Sequence, residues 1–227
     1  MSDIKHHKRV NDILLGPLER PALKWLAAHM PAWVTPDICT SVGIFGSLLI
    51  MTSYLLSTIN RNLLWLASLG FLINWFGDSM DGTLARHRHI ERPVFGFFVD
   101  HITDAVNEVL IFVGLGLTPY VSFNVACLTL VAYLLLSVLV FVSTAVIGEF
   151  KISYGKLGPT EVRVLAILLN TWMYFGGERT FRVSAGVFGV ANFTIYDLVV
   201  GFIGVLLLFF FFASVREQTV RLANADA

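Results

Sequence analysis

Apolar residues dominate six stretches of the chain, 36–59, 63–76, 94–117, 121–147, 160–175 and 196–215. A helix crossing the hydrocarbon core of a bilayer needs about 20 mostly apolar residues, so each stretch predicts a membrane-spanning helix. The second is short for that task. Its helix is expected to run on through the polar residues after Phe76, out of lipid and into a protein-lined cavity. Thr35-Pro36-Asp37 opens the first span, with Thr35 suited to the N-cap and Pro36 to the first helical position. The stretch 12–30 carries Ile13, Leu14, Leu18, Leu23, Trp25 and Leu26 but is interrupted by Arg20 and Lys24. It is too polar to span and reads as an interfacial amphipathic helix on the membrane surface. No signal peptide is expected before the first span, because 1–11 is polar and basic and Pro17 and Pro21 break the next apolar residues. The fold class is therefore all-α, a polytopic membrane protein of six transmembrane helices. We read 1–227 as one domain, with a cytoplasmic interfacial segment at 1–34, a six-helix bundle at 35–215 and a tail at 216–227.

Composition agrees. Of 227 residues, 56% are hydrophobic and only 14% charged, where a soluble domain runs nearer a quarter charged. Disordered, collagen-like and ordinary soluble classes are excluded. The 16 Lys and Arg balance the 16 Asp and Glu, so the basic excess of a nucleic-acid binder is missing and no nucleic-acid partner is expected. Cys39 and Cys127 make no disulfide framework and read as small apolar residues. With six spans, Arg61, Arg179 and Arg182 fall on one side and every other Lys and Arg on the side of the termini. Cationic excess marks the cytoplasmic face, so both termini and the connection after Asp78 are expected there.

Chemistry concentrates between Gly77 and Glu108. Asp78 and Asp81 are three apart; Asp100, Asp104 and Glu108 succeed one another at four-residue spacing. Each set lies on one helix face, and consecutive antiparallel helices bring the faces together. Carboxylates within a span cost several kcal/mol. A solvated run is disfavoured, since Phe97, Phe98, Val99 and Ile102 interleave the later acids. Ion pairing with Arg86, Arg88 and Arg92 is one alternative. The stronger reading is a cation site, because hard divalent ions take oxygen ligands and Mg²⁺ is held by carboxylates together with substrate phosphates. Gly82, Ala85 and Gly96 keep the surface shallow for a ligand, and Arg86 offers a planar fork to phosphate. His87, His89 and His101 read as solvated or hydrogen-bonded groups rather than ligands.

The pattern Asp78-x2-Asp81-Gly82-x2-Ala85-Arg86, nine residues, then Gly96-x3-Asp100-x3-Asp104 resembles the signature of the CDP-alcohol phosphotransferases. Thr35-Pro36-Asp37 stands where many members carry Thr-Pro-Asn. The resemblance implies transfer of a phosphoalcohol group from a CDP-alcohol to an acceptor alcohol with release of CMP, in phospholipid synthesis. It implies two divalent cations, Mg²⁺ or Mn²⁺, on Asp78, Asp81, Asp100 and Asp104, with Asp104 also taking the acceptor proton. Gly82, Ala85, Arg86 and Gly96 would line the CDP-alcohol pocket. The active site would open to the cytoplasm, and the chain would pair as a homodimer. CDP-diacylglycerol is the favoured donor. Asp100-His101-x2-Asp104 and Gly158-Pro159-Thr160-Glu161 resemble choline and ethanolamine phosphotransferases, so a CDP-choline-like donor with a diacylglycerol acceptor is the alternative. Lys151, Lys156 and Arg163 are candidates for an acceptor phosphate. An intramembrane prenyltransferase and a cation or proton transporter are more remote readings. The roles of Asp37 and Glu108 stay open.

Overall fold

The computed structural model describes residues 8–10, 14–147, 149–151, 158–178, 180–184 and 190–225. Seven helices carry the described fold: α1 (Gly16–His29), α2 (Pro36–Leu56), α3 (Leu63–Arg88), α4 (Pro93–Gly116), α5 (Phe123–Ile147), α6 (Pro159–Gly176) and α7 (Ile195–Ala225). Two short ladders add to the all-helical expectation. Strand β1 (Lys8–Val10) pairs in parallel with β2 (Glu149–Lys151), and β3 (Thr180–Ser184) pairs antiparallel with β4 (Val190–Thr194).

Four helices, α2, α3, α5 and α7, are long and apolar enough to cross a membrane. They make the chain an integral membrane protein by length and composition. The hydropathy pattern predicts six. The other two, α4 and α6, fall short for a physical reason. Any 18-residue window of α4 contains Asp100, Asp104 and Glu108, and α6 contains Glu161, Arg163 and Asn170. All six are buried or half-buried, so polar groups turned towards the protein interior are what dilute the hydrophobic signal. α3 continues past Phe76 to Arg88, as expected, and α7 runs ten residues beyond the sixth apolar stretch.

Glycines set the central crossing. A Cβ on Gly77 of α3 would lie 2.6 Å from the Gly43 Cα of α2, and one on Gly46 would lie 2.5 Å from the Asn74 nitrogen. Only hydrogen fits where the two backbones touch, so α2 and α3 pack at backbone contact. Gly114 plays the same part between α4 and Met51 of α2. Buried polar groups then lock the bundle at two levels. At one level the Tyr54 hydroxyl donates to Asn170 Oδ1 (2.7 Å), and Asn170 Nδ2 donates to Ser68 Oγ (3.2 Å). At the other, Asn74 Nδ2 donates to the Gly43 carbonyl (3.0 Å) and Ser47 Oγ (2.9 Å). Each of these groups finds a partner, as burial in a low-dielectric interior demands.

The apolar core gathers Ile50, Leu64, Phe71, Leu115, Met173 and Tyr196 towards the far end of the bundle from the acids. A second cluster, Leu23, Ala27, Cys39, Met80 and Leu84, seats α1 against α2 and α3. The opposite face of α1 exposes Leu18 and Trp25, and Leu14 just before it is exposed too, the apolar face an interfacial helix presents to lipid. Glu19 holds α1 in place by accepting from Trp75 Nε1 (2.8 Å), Ser79 Oγ (3.2 Å) and Thr160 Oγ1 (2.9 Å). Glu161 closes the start of α6 by accepting from the Gly158 nitrogen (2.9 Å), and its second oxygen accepts from the Leu15 nitrogen (2.8 Å). Proline suits the start of both helices. Pro17 and Pro159 lie in first turns, where a missing N–H leaves nothing unpaired.

Candidate active site

The site forms where the C-terminal half of α3 meets the N-terminal half of α4. Thr35 caps α2 by accepting from the Ile38 nitrogen (3.3 Å), and α2 starts with Pro36 as its sequence predicts. The glycine crossing then fixes the height of α3, and Asp78 comes directly after Gly77. Asp78, Asp100 and Asp104 converge, with one carboxylate oxygen from each lying within 4.8 Å of the others. All three are half-buried. A cleft beside them is lined by Thr40, Gly43, Asp78, Asp81, Asp100, Thr103 and Asn107. Asp81 thus shares the cleft without joining the closest triplet. Its Oδ2 accepts from Thr40 Oγ1 (2.8 Å) and its Oδ1 from the Gly82 nitrogen (2.5 Å).

The donor set fits a hard divalent ion. It is carboxylate oxygen flanked by Thr and Asn oxygens, with no thiolate in the cleft lining. His101 stacks on Phe97 with ring centroids 4.1 Å apart, and its Nδ1 lies 3.6 Å from Asp100 Oδ2. It flanks the acids rather than completing the triplet. His87 and His89 are exposed, and His89 ends α3 in the left-handed conformation (φ 56°). Glu108 stands one turn beyond Asp104, with Tyr133 of α5 beside its carboxyl group.

Arg163 enters from α6. Its Nη2 donates to Asp78 Oδ2 (2.8 Å) and its Nε to Asn74 Oδ1 (2.8 Å), with the side chain only 13% exposed. The sequence offers Arg86, Arg88 and Arg92 of the α3–α4 connection as ion-pair partners for the acids. The cation that pairs with Asp78 comes instead from α6, 85 residues along the chain. Lys151 belongs to β2 by its backbone; its side chain and the whole of Lys156 lie outside the described residues.

The remaining arginines divide. Arg86 donates to Thr83 Oγ1 (3.3 Å) and folds over Gly82, whose added Cβ would meet Arg86 Nη1 at 3.1 Å. Ala85 is half-buried beside it, and Gly96, exposed on α4, has nothing within 4 Å of a would-be Cβ. Arg88 turns to the backbone instead. It donates to the carbonyls of Met30 (3.0 Å), Pro31 (2.8 Å), Ala32 (3.4 Å) and Val34 (2.5 Å), tying the α1–α2 linker to the end of α3. Arg92 pairs with Asp37 at the exposed surface and lies over the Phe95 ring.

Thr40, Asn74, Thr103 and Asn107 also join the site, and the motif pattern does not single them out. Two of them carry a signal. Asn74 precedes Asp78 by four residues, and Asn107 stands seven after Asp100, so both extend the acidic stripe of their helix. Thr40 has no comparable mark, since its role depends on the α2–α3 crossing.

The chain matches the family model for CDP-alcohol phosphatidyltransferase over residues 33–203. It is 25% identical over 191 residues to cholinephosphotransferase 1 of Danio rerio, covering 79% of this chain and 49% of the relative. The Gallus gallus protein of the same name is 25% identical over 187 residues, covering 78% and 54%. That of Homo sapiens is 23% identical over 170 residues, covering 72% and 42%. The chain thus spans about half the length of the curated relatives it matches.

Proposed function

The chain belongs to the CDP-alcohol phosphatidyltransferase family, and from that premise we propose that it moves a phosphoalcohol group from a CDP-alcohol to an acceptor alcohol, releasing CMP, in phospholipid synthesis. The observation that carries this reading is the convergence of Asp78, Asp100 and Asp104 from two helices beside a cleft that also holds Asp81. Asp78, Asp81, Asp100 and Asp104 would hold two divalent ions, Mg²⁺ or Mn²⁺, which supply charge to bind the diphosphate and to steady the leaving CMP. Arg86 presents its guanidinium to the nucleotide phosphates, and Gly82 and Ala85 let the nucleotide approach the α3 backbone. Thr40 holds the Asp81 carboxylate at a set angle through its 2.8 Å hydrogen bond. Asp104 accepts the proton of the acceptor hydroxyl as the new bond to phosphorus forms. Gly96 leaves the route into the cleft unobstructed, and Lys151, Lys156 and Arg163 are the cationic candidates for an acceptor phosphate.

The full topology belongs to the same reading. α4 and α6 join the four apolar helices as spans, their polar faces turned to the cleft rather than to lipid. Both termini and the site then face the cytoplasm, and α1 lies in the interface. Pairing as a homodimer is part of the family resemblance.

CDP-diacylglycerol is one donor compatible with this site. A second reading, a CDP-choline- or CDP-ethanolamine-like donor with a diacylglycerol acceptor, draws support from Asp100-His101-x2-Asp104 and from the names of the relatives. Purified protein incubated with a panel of CDP-alcohols and acceptors is expected to release CMP from one pairing only. EDTA should abolish that release and Mg²⁺ or Mn²⁺ restore it. Full turnover in chelator, with metal content verified as nil, would refute the metal-assisted reaction.

A further inference from the structure

Asp78, Asp81, Asp100, Asp104 and Glu108 place five carboxylates in one region of the bundle. Such a group repels itself strongly where solvent is scarce. Arg163 is in ion-pair contact with Asp78 and within electrostatic reach of Asp104 and Glu108, while Arg86 acts on Asp81. Its place is built rather than incidental. Asn74, 1% exposed, accepts from Arg163 Nε while its own amide nitrogen is committed to Gly43 and Ser47. The Arg163 side chain is thereby held at two points, one neutral and one acidic.

The two points respond differently to a divalent ion. A Mg²⁺ held by Asp78 would share its carboxylate with a guanidinium nitrogen now 2.8 Å from it. The two cations repel, and they compete for one carboxylate charge. Asn74 bears no charge and has no such competitor. We propose that Arg163 is a built-in counter-ion of the metal-free site, which an arriving divalent cation exchanges off Asp78 while Asn74 retains the Nε end as a pivot. The exchange rests on the metal reading of the Asp cluster. It couples metal entry to a swing of the guanidinium at the cytoplasm-assigned end of α6, the helix that Glu161 and Thr160 tie to α1.

The exchange is tested in full-length protein in detergent or nanodiscs, with Mn²⁺ as the probe. Arg163→Gln removes the competitor, so Mn²⁺ should bind at least about tenfold more tightly by electron paramagnetic resonance titration, whereas Arg163→Lys, which keeps the charge, should stay near the parent value. Arg163→Gln should also lower the unfolding temperature without metal and gain more from added Mn²⁺ than the parent does. If Arg163→Gln cannot be recovered folded, the parent supplies the test. In ¹⁵N-arginine-labelled protein, the guanidinium signal that vanishes in Arg163→Lys should move when Mg²⁺ is added. Unchanged or weaker Mn²⁺ binding by Arg163→Gln, or a guanidinium signal that stays put while metal binds, overturns the exchange and leaves the metal site standing. Failure of the parent protein to bind Mn²⁺ overturns both.

Discussion

At the scale of single residues, different surroundings distinguish two carboxylates of the same chemistry. Asp104 and Asp81 are both carboxylates, yet Asp81 is held by Thr40 and the Gly82 nitrogen while Asp104 meets Asp78 and Asp100. Asp104→Asn keeps the shape but cannot take a proton, so turnover should fall about 10²- to 10⁴-fold with CDP-alcohol affinity changed modestly. Asp81→Asn should weaken both. Nucleotide binding measured beside CMP release distinguishes them; if Asp104→Asn abolishes binding as fully as Asp81→Asn, Asp104 is chiefly a ligand, and Glu108, one turn on, is next in line for the proton. The arginines give a second contrast. Arg86→Ala should weaken nucleotide binding by about 1.5–3 kcal/mol, the range for a hydrogen bond to a charged group, and spare the fold. Arg88→Ala removes the donor to four linker carbonyls. It should lower the unfolding temperature in detergent by several degrees while leaving metal affinity in the surviving fold near the parent value. Equal effects on nucleotide binding from the two changes would contradict this division.

At the scale of elements, the glycines divide in the same way. Gly77→Ala forces a methyl group to 2.6 Å from the Gly43 Cα. Rigid helices cannot both move away, so overpacking of at least about 1–3 kcal/mol is expected, with thermal unfolding as the measurement. Gly82→Ala meets only the flexible tip of Arg86 at 3.1 Å. It should unfold at the parent temperature and lose nucleotide affinity, because the added methyl occupies the approach to α3. A Gly82→Ala protein as unstable as Gly77→Ala would show that both glycines serve packing.

At the scale of the whole molecule, α4 and α6 decide the topology. Each is polar along one side and is stable in a bilayer when that side faces the other helices. Single cysteines introduced at Asn60 and Glu178 should be labelled by a membrane-impermeant maleimide from one side of sealed vesicles, and those at Glu91 and Glu217 from the other. All four sites are exposed. Labelling at position 91 from the same side as position 60 would remove α3 from the set of spans and with it the cytoplasmic placement of the acids.

Local pattern determined much of this protein. Hydropathy marks the helices, Thr35-Pro36 marks the start of α2, and the i, i+3 and i+4 spacing of Asp78, Asp81, Asp100 and Asp104 marks the acidic faces, because a helix repeats every 3.6 residues and its faces are legible in one dimension. The approach of Asp78 to Asp100 and Asp104 was also legible, since a short connection forces neighbouring helices to return antiparallel. Partners distant in the chain were not. Arg163 and Asp78 are 85 residues apart, Thr40 and Asp81 are 41 apart, and Arg88 reaches back 54 to 58 residues to its carbonyls. Charge alone grouped Arg163 with Lys151 and Lys156 as a candidate phosphate contact, and Arg88 with Arg86 and Arg92 as candidate partners of the acids. Which cation meets which acid depends on how closely the helices approach, and that distance is set by contacts such as Gly77 on Gly43, where two positions far apart in sequence must both lack a side chain.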